Sequence, residues 1–399
     1  VSGRLRQAVV AGAAVALGGC SSGGAAADRP EMVDAAKAQD ATTSIVDAGD
    51  EPVVFGGYEG SIPYDACAAT GTCPVQPTVT LAAGQASPAG ITVDATRVYW
   101  VNLGLEPPSV SDGGWSGSQI MACAKDGCDG GPAVLASGSW SGASKLGVDD
   151  ANVYWIVSNA VLACPLSGCT GEPQVLWAGT GPLYDIAVDS TGVYFTSPGA
   201  GRVMRCPSEG CDGGGVIWPS DAGSFGEPSA IALDSTTAYF VDDFASSVEA
   251  CEKSDCAATL RTVATPTDNN VLAQLAIDDA NVYVTDLAQG RVLWAPKDGT
   301  TQSLSVLVRN LVHPVGLATD GVGVYYTDTG SEDGGQGGSG RVAGCVVGGC
   351  AGSGTAIAGF VNEPLDVAVD GTRVYWTDFG SSTDSTESDA GRVRAWTKP

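Results

Sequence analysis

The chain has almost no histidine: His313 is the one imidazole in 399 residues. That single copy excludes zinc sites built on two or more histidines and leaves one imidazole base. Basic residues are scarce too, 19 Lys and Arg against 45 Asp and Glu, giving a net charge of -26. So acidic a surface repels a phosphate backbone, which argues against nucleic acid and leaves divalent cations or basic molecules as attracted partners. No two cysteines have the two-residue gap of zinc ribbons, and no Gly-rich phosphate loop, nucleophile elbow or His-containing metal motif is present. No cofactor is expected. Helical periodicity is absent throughout, so helical and leucine-rich repeats are excluded.

The N-terminus has its own composition. Arg4 and Arg6 precede an apolar run, Ala8 to Leu17, and small residues follow. A basic head, a short apolar stretch and small residues describe a signal peptide, residues 1–19, too short for a membrane-spanning helix. Leu17-Gly18-Gly19-Cys20 resembles the lipobox of bacterial lipoproteins, and the resemblance implies a lipid on Cys20; the other reading is an ordinary leader cut near Ala25 to Ala27. Opening on Val1 fits an alternative start codon or a truncation. Residues 20–62, rich in Ala, Gly, Asp and Ser, read as a flexible tether reaching roughly 35 Å. Ser21 and Ser22 lack the Asp that retains many such lipoproteins at the inner membrane. By that resemblance the expected location is the outer membrane, facing either side.

Thirteen cysteines is an odd number. Setting Cys20 aside leaves six close pairs: Cys67 with Cys73, Cys123 with Cys128, Cys164 with Cys169, Cys206 with Cys211, Cys251 with Cys256, and Cys345 with Cys350. In an exported chain, pairs this local read as disulfides across hairpin ends.

The body is repetitive. Ile91-Thr-Val-Asp94 followed by Val98-Tyr99-Trp100 recurs with Asp149 and Tyr154-Trp155, Asp189 and Tyr194-Phe195, and Asp234 and Tyr239-Phe240. Asp278 with Tyr283-Val284, Asp320 with Tyr325-Tyr326 and Asp370 with Tyr375-Trp376 complete seven copies. Successive Asp residues lie 40 to 55 positions apart. Each unit predicts four short strands. A run such as Ile186-Ala-Val188 suits a strand buried on both faces; the Asp caps a tight turn; Val-Tyr-aromatic is the second strand; Gly-Arg-Val at Gly201, Gly290, Gly340 and Gly391 opens the third; Gln174-Val-Leu-Trp177 typifies the fourth. Four-stranded units of this length are propeller blades. The last unit, ending at Trp396, supplies three strands, and Val79-Thr-Leu-Ala-Ala83 fits the missing fourth. The fold expected is therefore all-β: a seven-bladed β-propeller over residues 63–399, four antiparallel strands per blade, its last blade closed by the N-terminal strand.

Val374-Tyr375-Trp376-Thr377-Asp378 resembles the YWTD repeats of LDL-receptor-type propellers, with Tyr283-Val-Thr-Asp286 and Tyr325-Tyr-Thr-Asp328 as weaker copies. The Pro-x-x-apolar lead-in and Gly-Arg-Val resemble NHL-type propellers. The chain departs from YWTD proteins, which have six blades and lack these Cys pairs, and propeller resemblance implies little about activity.

By propeller topology, the loops joining strands two to three and four to one surround the channel mouth. Three such loops are long and carry Glu106, Asp112, Glu332, Asp333, Asp384, Glu387 and Asp389, on blades one, six and seven. Their acidity fits calcium or a basic partner, although their spacing matches no calcium-loop signature and solvated loops explain it equally. Trp115 and Trp140 sit in loops near blades one and two, where they either form a stacking platform for a peptide or sugar or cover a blade end. His313 leads into blade six just before a proline, as Ser87, Glu227 and Glu363 lead into others. A general base at His313 aided by Glu227 or Glu363 would make the protein a hydrolase, lyase or lactonase. Streptogramin-lyase-like and lactonase-like propellers place metals and acid–base groups around this mouth, but no matching residue set occurs here. The expectation is a monomeric, membrane-tethered binding or scaffolding protein engaging a protein, peptide or glycan.

Overall fold

The computed structural model describes residues 78–398 apart from residues 105–116, 129, 141, 212–215, 219–225, 269, 331–339, 348–349, 351–353 and 381–390. The expected leader, Cys20, the tether, and the expected disulfide of Cys67 with Cys73 lie outside the described residues. So do Trp115 and all seven acidic residues of the long loops.

The described chain forms seven antiparallel sheets arranged as a seven-bladed β-propeller. Blade one shows the order: inner strand Pro88–Val93, then Arg97–Asn102, Ser118–Ala124 and outer strand Ala133–Gly138. The later inner strands are Leu146–Val148, Ile186–Asp189, Pro228–Leu233, Leu272–Ile277, Pro314–Thr319 and Pro364–Val369. Blade seven has three strands from the C-terminal end, and Thr78–Gln85 adds the fourth, pairing Thr78 with Trp396 and Val79 with Ala395. This closure removes the two open sheet edges a linear array would expose.

Adjacent residues of a strand face opposite sides, and the Val-Tyr-aromatic repeat uses this to glue the ring. In each blade the Tyr faces the next blade, and the residue after it faces the one before. Tyr99 thus shares a buried cluster with Trp155, Tyr154 with Phe195, and Tyr194 with Phe240. The pattern continues with Tyr239 and Val284, Tyr283 and Tyr326, and Tyr325 and Trp376. Tyr375 with Trp100 closes the circle.

The capping Asp behaves as its position predicts. Asp94 Oδ1 accepts the amides of Thr96 and Arg97, at 2.6 and 2.7 Å, while its Oδ2 accepts the Tyr99 hydroxyl at 2.6 Å. Asp149, Asp234, Asp278 and Asp370 bind Tyr154, Tyr239, Tyr283 and Tyr375 in the same way. Five of the six expected cysteine pairs are disulfides in the described chain. Cys123 bonds to Cys128, Cys164 to Cys169, and Cys206 to Cys211. Cys251 bonds to Cys256, and Cys345 to Cys350. In each, the first cysteine sits in the third strand, and the second lies just past the turn that follows it.

Two expectations need correction. Blade four has five strands, because Gln302–Ser303, from the hairpin of blade five, adds in parallel to Arg261–Thr265. Ile186-Ala-Val188 is not buried on both faces: Ile186 is buried, but Ala187 and Val188 are half-buried. An inner strand borders the central channel, where no further strand covers it.

Candidate functional site at the channel mouth

Two residues of the Tyr-aromatic-Thr-Asp segment build the mouth. Thr196 Oγ1 accepts the Asp185 amide of its own blade at 3.1 Å and donates to the Ser229 carbonyl of the next at 2.5 Å. Thr327 links Gly316 to Leu365, and Thr377 links Asp366 to Ala89, in the same sense. The Asp that ends the second strand grips the lead-in to its blade. Asp328 accepts the amides of Val312 and His313, the latter at 2.7 Å, and Asp242 accepts those of Gly226 and Glu227.

Ser87, Glu227, His313 and Glu363 consequently occupy one structural position. Each offers its carbonyl to an amide just beyond the second strand, those of Leu103, Asp243, Thr329 and Phe379. Ser87 and Glu363 hold φ of +55° and +52° there. The structure thus places Glu227, His313 and Glu363 at the mouth, on blades four, six and seven. The His313 ring is buried, with Nδ1 3.3 Å from the Thr329 hydroxyl. Trp140 is half-buried against Trp155, ring centroids 5.1 Å apart, and its carbonyl accepts the Ser118 hydroxyl.

Inside the channel lies a set that the residue pattern hides. The fourth residue before each capping Asp is Gly90, Lys145, Asp185, Ala230, Gln274, Gly316 and Asp366 in turn. Asp185 Oδ2 accepts the Ile231 amide of the next blade at 3.0 Å, and Asp366 Oδ2 accepts that of Ile91 at 3.3 Å. Lys145, on blade two, crosses the channel to the Gln274 side-chain oxygen of blade five at 3.0 Å and Asp366 of blade seven at 3.4 Å. Burial opposes its charge, but Asp366 and Asp185 outweigh burial and hold the ammonium above its ordinary range. Burial pushes the Asp185 carboxyl up despite Lys145 and two amides. One lysine thus faces two aspartates across the channel, and burial makes the second of them costly to ionise.

Nearer the rim, Asp243 accepts the Ser229 hydroxyl at 2.8 Å. Burial, then the neighbouring Glu227 and Asp242 carboxylates, push its carboxyl up to about 7. Tyr184 is driven upward by burial and by Asp243 and Asp185. Among the described residues no three His, Cys, Asp or Glu side chains converge as a metal site. Aligning the seven units residue by residue would have exposed Lys145, Asp185, Gln274 and Asp366. Asp243 and Phe244 carry no such signal, because the loop after each second strand differs.

No protein-family profile and no curated protein matches the chain. Solved structures do. A virginiamycin B lyase from Staphylococcus aureus, solved with quinupristin, is 14% identical with a TM-score of 0.58, covering 80% of this chain and 98% of that one. YCF48 bound to D1 peptide is 10% identical at TM-score 0.54, covering 81% and 97%. The computationally designed Ika8 protein is 13% identical at TM-score 0.52, covering 81% and 99%. At these identities the likeness is one of fold. The chain is a β-propeller of seven blades with disulfides in its repeats.

Proposed function

We propose that the protein is exported, anchored to the outer membrane through a lipid on Cys20, and holds a partner on the face around its channel mouth. The observation that carries partner binding is Phe244, which projects from the loop after the second strand of blade four with 82% of its surface exposed. An aromatic left in water at a channel mouth is an interaction feature in search of a complement. Half-buried Trp140 lies on the same face. The five disulfides support export, since reducing compartments do not maintain such bonds. A propeller of the same fold is solved with a bound peptide, which makes a protein or peptide the favoured partner class.

The test is photo-cross-linking in an envelope fraction with the parent chain, Phe244→Ser and Trp140→Ala. A specific adduct that falls roughly tenfold in either variant supports the reading; adducts unchanged in both overturn it. Labelling with an alkynyl fatty acid, lost in Cys20→Ala, tests the anchor.

A further inference from the structure

The mouth face exposes more apolar surface than Phe244 alone. Val271 leads into blade five, Val312 into blade six with 58% of its surface exposed, and Phe360, 53% exposed, stands near the end of blade six's outer strand. Hydrogen bonds between lead-ins and post-strand loops, Asp243 to Glu227, Leu287 to Val271 and Thr329 to His313, put these segments on one face. The exposed apolar side chains therefore follow an arc across three consecutive blades. On the channel side of the arc lie Glu227, Asp242 and Asp243, with Asp185 deeper. Lys145, the one channel lysine among the described residues, is already engaged by Gln274 and Asp366.

An apolar arc bordering an acidic opening defines its complement by charge and shape. A metal ion does not meet the description, because the described residues gather no ligand set for one and an ion has no use for the apolar side chains. A long cationic side chain does: its stem can lie on apolar surface while its head reaches the carboxylates. We infer that this face docks an extended peptide segment of a partner protein, which directs a lysine or arginine head toward Asp243 and Glu227 and lays flanking apolar residues along Phe244, Val271 and Val312. The inference rests on the binding function proposed above and specifies its partner. A peptide spread over several blades gains affinity from many shallow contacts, and the central cation sets the register.

The test uses the full chain in detergent and immobilised pools of N-acetylated heptapeptides with apolar flanks and Arg, Lys, Gln or Glu fixed at the centre. The Arg and Lys pools should retain at least about tenfold more protein than the Gln pool, and the Glu pool least. Asp243→Asn and Phe244→Ser should each reduce capture by the Arg pool about tenfold. Val322→Ser should leave it unchanged, since Val322 is exposed in the turn between first and second strands, on the opposite face. Cooperative circular dichroism melts show that the variants fold. Equal capture by Gln and Arg pools, abolished by Phe244→Ser, would overturn the cation and leave partner binding standing. Capture of no pool, with a Phe244-dependent cross-link still formed in the envelope, would overturn the peptide class alone. Loss of both would remove the binding function itself.

Discussion

Lys297 shows how single residues lock neighbouring blades. It follows the third strand of blade five, bonds the Asp278 carbonyl of its own turn at 3.0 Å, and reaches the Asp234 carboxylate of blade four at 2.8 Å. Its ammonium also lies 5.0 Å from the centre of the Tyr239 ring. Lys253 meets Asp189, Lys398 meets Asp320 and Lys125 meets Asp370 in the same manner, so four of the seven blade interfaces carry this lock. At the other three the equivalent residue is Leu166, Ser208 or Val347. Burial opposes ionisation of Asp234, but the bond from Lys297 and the amides of Thr236 and Thr237 together prevail and hold its carboxyl well below the ordinary range. A depressed folded-state value contributes stability above the unfolded value near 4, which is lost as pH falls through the folded value. Lys297→Met should therefore cost about 2 kcal/mol in urea unfolding at pH 7, with the deficit shrinking below pH ~4. Asp243 has the opposite sign. Its folded value, about 7, lies above its unfolded one, so the folded state holds the extra proton and stability declines as pH rises between them. Asp243→Asn should match the parent at pH ~4 and unfold at higher urea from pH ~7 upward. The capping Asp was legible because its effect is local. Its lysine partner was not, since the ring's curvature decides which neighbouring blade's lysine arrives.

At the scale of elements, the hairpin after each third strand is the variable part. Five blades tie it with a disulfide whose Cα atoms lie 4.7 to 5.4 Å apart. Blade five has Ala295 at the first-cysteine position and blade seven has Trp396. Blade five uses its hairpin differently, sending Gln302–Ser303 onto the outer strand of blade four. A two-residue strand leaves no period to read, which is why the pattern of residues did not show it. The short gap between cysteines was readable because geometry permits little else. Replacing both Cys206 and Cys211 by Ser removes a loop constraint worth about 2 kcal/mol. The urea midpoint of that variant should drop accordingly, and reducing agent should then shift it less than it shifts the parent. The Gly of Gly-Arg-Val also became intelligible only in three dimensions. A Cβ on Gly391 would sit 2.2 Å from Pro88 of blade one, and one on Gly290 would sit 1.9 Å from the Leu311 carbonyl, at a φ of +59°.

Across the whole molecule, everything depends on one seam. Six blades take their first four strands from continuous sequence, but blade seven joins Thr78–Gln85 to Gly391–Thr397 from the far end of the chain. A polar bond reinforces the seam, Arg394 donating to Thr78 at 2.6 Å, while Gln85 anchors the closing strand to blade one by accepting from Trp100 and Asn102 at 3.1 and 3.0 Å. Among the described residues nothing covalent does so, and the backbone pairing there is interrupted twice, between Thr80 and Ala82 and between Ala82 and Gln85. The seam is therefore where the ring should open first. A disulfide between Val79→Cys and Ala395→Cys, which are paired in the ladder, would close almost the whole propeller into one covalent loop. Chain entropy assigns such a loop about 6 kcal/mol, against about 2 kcal/mol for a disulfide within one hairpin. The urea midpoint of the oxidised variant should thus exceed that of the equally oxidised parent by clearly more than any native disulfide supplies. An equal or smaller shift would overturn that expectation.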